Sequence, residues 1–80
     1  MYILNSNKTI IHNSEFIQRY AVSKKDDVAV IFAATSHDTP PFTLGRYSSE
    51  EKAKEVLLEL FAALGGGATY YEMPASLWRI

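Results

Sequence analysis

The chain contains no cysteine. That excludes disulfides and thiolate metal sites, so stability has to come from packing alone or from self-association. Long apolar runs are missing as well. The longest, Val28 to Ala34, is strand-sized and far short of the ~20 residues that a membrane-spanning helix needs. The opening Met1-Tyr2-Ile3-Leu4-Asn5-Ser6-Asn7 has no basic stretch leading into an apolar core and does not read as a signal peptide. A cytoplasmic protein without a membrane partner is therefore expected. Charge of one sign is absent too. Residues 1–47 carry five basic and four acidic side chains, and residues 48–80 carry three and five. Neither half has the basic excess that binding to phosphates demands, so nucleic acid is not an expected partner.

Glycine and proline are scarce, which makes their positions informative. Three of the four glycines are consecutive, Gly65-Gly66-Gly67, and two of the three prolines are adjacent, Pro40-Pro41. The glycine run reads as a helix stop with Gly65 at the left-handed position after the helix. The proline pair forbids a central strand where it stands.

The 80 residues suffice for one domain spanning 1–80. At this size folding buries only about 60–65% of the unfolded chain's surface, so the core is small. Tyr2-Ile3-Leu4 and Thr9-Ile10-Ile11-His12 flank the turn formers Asn5-Ser6-Asn7-Lys8 and read as a hairpin. Phe16 to Val22 reads as a strand with Phe16, Gln18, Tyr20 and Val22 toward the core. Ser23 to Asp27 is a charged tight connection. Val28 to Ala34 is apolar on both faces and reads as a central strand. Thr35 to Pro41 is a polar loop. Phe42 to Tyr47 resumes strand character, with Gly45 marking a bulge or a place where the helix crosses closely.

Ser48-Ser49-Glu50-Glu51 fits a capping box with Ser48 at the N-cap and Glu51 reciprocating. Glu50 and Glu51 sit at the positive end of the helix dipole, and Glu50 can pair with Lys54. Ala53, Val56, Leu57, Leu60 and Leu64 recur at helical spacing as one apolar stripe. Ala68 to Met73 reads as a last strand ended by Pro74, and 75–80 is a short tail. The expected architecture is α+β: an antiparallel meander of five to six strands packed in two layers against one C-terminal amphipathic helix.

The stretch Leu44-Gly45-Arg46-Tyr47-Ser48-Ser49-Glu50-Glu51-Lys52-Ala53-Lys54, together with Tyr71-Glu72-Met73-Pro74, resembles a group of small proteins of uncharacterised function from Gram-positive bacteria and their prophages. In that group a strand ending in Leu-Gly-x-Tyr runs into a capped helix, and a closing strand ends at Tyr-Glu-Met-Pro. The resemblance covers most of the chain and brings no activity, cofactor or catalytic residue with it. The order of a meander followed by a late helix is also similar to that of pleckstrin-homology-like domains. Such folds host binding more often than chemistry.

The residues themselves assemble no reaction centre. His12, His37 and Asp38 lack the pair spacing of a zinc site and read as surface residues. Ser36-His37-Asp38 holds the letters of a triad, but consecutive extended residues point to alternate sides and cannot relay a proton. Glu51, Glu55 and Glu59 share a helix face and read as a solvated surface rather than a cation site. Gly65-Gly66-Gly67 follows a helix, whereas phosphate loops precede one. Tyr20, Phe32, Phe42, Tyr47, Tyr70 and Tyr71 have few basic neighbours and read mainly as core. No catalytic, cofactor-binding or metal-binding residue is assigned, and an enzyme is not expected.

Surplus apolar residues are more telling. Leu58, Phe61 and Ala62 form a second patch on the helix, and Leu77, Trp78 and Ile80 crowd the tail. Contiguous apolar surface of this kind marks an interaction site, unless Trp78 and Phe61 fold back onto the same domain and complete its core. The expected function is a non-catalytic protein-interaction module or small accessory protein, self-associating as a two-fold dimer or meeting an unidentified protein partner. The alternative is a small-ligand binding protein with a pocket between helix and sheet lined by Phe32, Leu57 and Tyr71. Replacing Trp78 by alanine is expected to weaken assembly or stability with the helix intact; an unchanged particle mass and melting temperature exclude that role.

Overall fold

The computed structural model describes residues 1–35 and 40–75. Its elements follow the chain as β1 (Tyr2–Leu4), β2 (Ile11–Asn13), a 3-10 turn (Ser14–Phe16), β3 (Arg19–Lys25), β4 (Val28–Ala34), β5 (Phe42–Tyr47), α1 (Glu50–Gly65) and β6 (Tyr70–Glu72). The fold is α+β, as the sequence pattern leads one to expect. The six strands divide into two open three-stranded sheets of order β2-β1-β6 and β3-β4-β5. The meander is realised in the antiparallel β3-β4-β5 sheet. The opening hairpin stands apart from it, and β6 returns after the helix to lie parallel to β1. The pleckstrin-homology-like order of a meander and then a helix is present, but a sixth strand follows the helix and no barrel closes among the described residues.

Strand β4 is central, and its two faces have different fates. Ala29, Ile31 and Ala33 are buried, while Val28, Val30 and Phe32 on the opposite side stay half-exposed. The buried side meets Ala53, Val56 and Leu60 of α1 in a core that also takes Leu44, Tyr47, Ile3 and Met73. Both sheets therefore share one core. On the far face, partial cover for Val30 and Phe32 comes from their cross-strand neighbours Ser23, Arg46, Ala21 and Thr43.

Several local expectations shift by a residue or two. The helix N-cap is Ser49, not Ser48; the Ser49 hydroxyl accepts a hydrogen bond from the Lys52 amide at 3.1 Å. Lysine at that position cannot reciprocate as Glu51 would, so the cap is one-sided. Glu50 and Glu51 still occupy the first turn, and Glu50 pairs with Lys54 at 3.9 Å, an exposed contact worth a few tenths of a kcal/mol. The helix runs through Gly65. Gly67, with φ 76°, takes the left-handed position assigned above to Gly65. The amide of Ala68 then donates to the carbonyl of Ala63 at 3.2 Å, and that of Gly66 to Ala62 at 2.9 Å. This satisfies carbonyls of the last turn after Leu64 has completed its contact with the core.

The segment before β3 departs from the sequence expectation. The Asn13 side chain accepts from the Glu15 amide and starts the 3-10 turn, which breaks the alternation that would have carried Phe16 and Gln18 inward. Phe16 is 69% exposed and Gln18 is exposed, whereas Tyr20 and Val22 pack on the core. Strand β3 also continues through the charged Ser23-Lys24-Lys25. The connection to β4 is only the Asp26-Asp27 turn, with Asp26 at positive φ.

Two hydrogen bonds tie the two sheets. The bulge in β5 lies at Leu44, between the pairs Ile31–Gly45 and Phe32–Thr43, and the Leu44 carbonyl accepts from the Ser6 amide at 2.8 Å. Asn5 holds the adjacent loop in shape, since its buried carbonyl oxygen accepts from the amides of Thr9 and Ile10. Second, the fully buried Tyr47 donates its hydroxyl to the Pro74 carbonyl at 3.0 Å. Its ring lies across Gly45, where an added Cβ would stand 2.6 Å from Tyr47 Oη and 2.9 Å from Cε2. The close approach expected at Gly45 is thus made by an aromatic ring rather than by the helix. Burial, and secondarily the charge of Glu59, push the Tyr47 hydroxyl up to about 12.

Gly45→Ala is expected to cost about 1–3 kcal/mol, as overpacking of a filled site does. Thermal or denaturant unfolding measures it. Tyr47→Phe removes the closest of the colliding atoms, so Gly45→Ala is expected to cost less in that background; strict additivity of the two losses excludes the contact as the cause.

Candidate functional site

The helix has two flanks, and they are treated differently by the fold. On one, Glu59 accepts a hydrogen bond from the Tyr71 hydroxyl of β6 at 3.0 Å, which ties that flank to the small sheet. Burial raises the Tyr71 hydroxyl, and the bond and charge of Glu59 raise it further. On the other flank α1 faces β3, which pairs only with β4 among the described residues and leaves its outer edge open. Between helix and strand runs a groove of about 300 Å³ lined by Leu57, Leu58, Phe61 and Leu64 from the helix and by Tyr20 and Arg19 from β3. Leu60 forms the floor and is fully buried, whereas Leu58 and Phe61 at the rim are 66% and 72% exposed.

This groove gathers part of the patch expected from the sequence. Leu58, Phe61 and Ala62 are all exposed on the helix. Leu77, Trp78 and Ile80 lie outside the described residues, as do Ser36, His37, Asp38 and Thr39. Phe32, Leu57 and Tyr71, expected to line one ligand pocket, do not share a pocket among the described residues. Leu57 is in the groove and Tyr71 is on the small sheet beside Glu59. Phe32 alternates with the buried Ile31 and Ala33, so the sheet itself separates it from the helix.

Of the aromatics expected in the core, Tyr47 is buried, and Tyr20, Phe42 and Tyr71 pack against it. Tyr70 is not core: it is 69% exposed, and with Tyr2, Leu4 and Ile11 it surrounds a shallow apolar hollow of about 190 Å³ on the outer face of the small sheet. This second patch escaped the sequence reading because it joins strands from opposite ends of the chain. The pairing of Tyr2 with Tyr70 in a parallel register leaves no local periodicity to detect.

His12 is not a surface histidine. Its ring stacks on Phe42 with centroids 4.3 Å apart and planes inclined by 20°. Among the described residues its buried Nε2 has no hydrogen-bond partner, nor does the buried Tyr20 hydroxyl. Desolvation lowers the His12 pKa from its ordinary 6.5, which favours the neutral imidazole. Among the described residues no three His, Asp or Glu side chains come together as a metal site, and no helix is long and apolar enough to cross a membrane.

No protein-family model, curated protein or solved structure matches the chain.

The stacked histidine has a consequence for stability. Unfolded, His12 takes a proton near pH 6.5; folded, it does so only at lower pH. Between those values the unfolded state holds more protons, so stability rises with pH through the window and is level above it. His12→Phe, which keeps the stack, is expected to flatten the unfolding midpoint between pH 5 and 7 relative to the parent, a range chosen to bracket the ordinary histidine pKa. Identical profiles exclude a buried neutral imidazole.

Proposed function

We propose that the protein is a non-catalytic interaction module whose contact surface is the Leu58–Phe61 rim of the helix–β3 groove, and whose occupant is a second copy of the same chain. The observation that carries this reading is the exposure of Leu58 and Phe61, 66% and 72%, directly beside an apolar groove. A protruding aromatic and a hollow within one patch make that patch self-complementary, which is what a two-fold contact requires. Aromatic anchors of this kind dominate the energy of protein interfaces. The near-neutral charge favours protein over nucleic acid as the partner. An 80-residue chain without disulfides also gains stability by sharing surface. In this reading the protein is a homodimeric accessory protein working in the cytoplasm, of the kind the resemblance to small Gram-positive bacterial and prophage proteins suggests.

Sedimentation equilibrium tests it. The parent is expected at twice the chain mass, and Phe61→Ala is expected to weaken association by roughly tenfold or more, the effect of losing about 1.4–2 kcal/mol at an interface anchor. Because Phe61 is exposed in the single chain, the circular dichroism spectrum should not change. A parent that stays monomeric, or an unaltered dissociation constant in Phe61→Ala, overturns the proposal.

A further inference from the structure

The self-association reading leaves open how two copies would meet, and the charges decide between the available surfaces. The first candidate is the open edge of β3, which could join its copy in a continuous six-stranded sheet. Antiparallel pairing centred on Val22 would set Arg19 opposite Lys25 and Tyr20 opposite Lys24. All three cations are exposed on this short strand. Like charges directly opposite destabilise a strand pair, and lysines on an edge are a common defence against such pairing.

The second candidate is the helix. Every charged residue of α1 lies at or before Glu59: Glu50, Glu51, Lys52, Lys54, Glu55 and Glu59 itself. The remainder, Leu60 to Gly65, carries none. Parallel packing would bring the Glu50-Glu51 ends together and align the two helix dipoles unfavourably. Antiparallel packing does the reverse. It lays the charged half of each helix against the uncharged half of the other and opposes the dipoles. Around a two-fold axis between Leu58 and Phe61, each Leu58 meets Phe61 of the second copy, and each Lys54 meets Gly65 of the second copy. Ala62 and Gly65 are small and exposed, and so allow the axes to approach to the ~8–10 Å of packed helices.

We infer that two copies of this chain pair through α1, antiparallel, about an axis between Leu58 and Phe61, leaving both β3 edges unpaired. This inference rests on the self-association reading above. The groove between α1 and β3 then receives the rim of the second helix, and the Arg19 side of the groove borders the interface instead of filling it.

Cysteine cross-linking tests the arrangement, because the natural chain has no thiol of its own. Lys54→Cys and Gly65→Cys are combined in one chain. Gly65 accepts a side chain, since a Cβ built there meets nothing within 4 Å. The two positions are ~16 Å apart along one helix, too far to bridge internally. Mild oxidation is expected to convert most of the double variant into disulfide-linked dimer. Each single variant should form several-fold less, and Val22→Cys none. Addition of Phe61→Ser to the double variant should abolish the link. A dimer by mass that cross-links through Val22→Cys overturns the helix arrangement in favour of edge pairing. A dimer by mass in which neither set cross-links overturns it in favour of another face, such as that around Tyr70. A monomer by mass overturns the arrangement and the self-association reading together.

Discussion

The fold depends on the seating of Tyr47. This residue closes β5 one turn before the helix begins, is fully buried, and sends its hydroxyl across the core to the carbonyl of Pro74, just beyond the last strand. Its ring occupies the space that a side chain at position 45 would fill, so the glycine and the tyrosine form one unit. The unit does two things. It fixes the exit of β5 and hence the direction in which α1 crosses β4. It also anchors the chain after β6, which holds the β2-β1-β6 sheet to the β3-β4-β5 sheet. Strands of three residues, such as β1, β2 and β6, are too short to hold a sheet together alone. They persist because Ile3 and Met73 reach into the common core and because Ser6 and Tyr47 hydrogen-bond across the junction.

What was legible in the sequence follows the range of the interactions concerned. The helix stripe Ala53, Val56, Leu60 is written within a few turns and appears in the structure as the buried face. Strand β4 declared itself by being apolar on both sides, and it is the central strand. Strand β5 begins and ends where the pattern put it. Boundaries set by competing local hydrogen bonds were harder. Two adjacent serines both suit an N-cap, and three adjacent glycines all suit the helix stop, so composition cannot choose among them. The division into two sheets was not legible at all. It requires β6 to find β1 across nearly the whole chain in parallel, and nothing local marks that partnership. The same blindness hid the Tyr2–Ile11–Tyr70 patch. The candidate surface on the helix, by contrast, was half visible: Leu58, Phe61 and Ala62 follow from spacing alone, but Tyr20 and Arg19, which build the other wall of the groove, are brought there by the tertiary fold.

His12 and Tyr20 show a different limit. Each has a buried polar atom without a partner among the described residues, and an unpartnered neutral group costs about 1–3 kcal/mol. The stack of His12 on Phe42 and the packing of Tyr20 on the core supply compensating contact. Polarity in the sequence suggested solvent for the histidine. The pairing of Ile3 with His12 set the ring beside the core instead, because neighbours in a register share a face. A titratable group was thereby placed where its charged form is disfavoured.

The two flanks of the helix differ. Its acidic flank is engaged: Glu59 binds Tyr71, and its charge also holds up the Tyr47 hydroxyl. Its apolar flank is not engaged by any described residue beyond the groove wall of Tyr20 and Arg19. If the extra leucine and phenylalanine served only to enlarge the core, the helix would be rotated to carry them inward. That rotation is prevented, because it would pull Glu59 from Tyr71 and lift Val56 and Leu60, both fully buried, off β4. The fold therefore holds Leu58 and Phe61 outward by construction, at the expense of exposing apolar area that a small domain would otherwise use. Such an orientation is consistent with a second helix completing the layer from outside, and it places the opposing charges where an antiparallel copy meets none of its own sign.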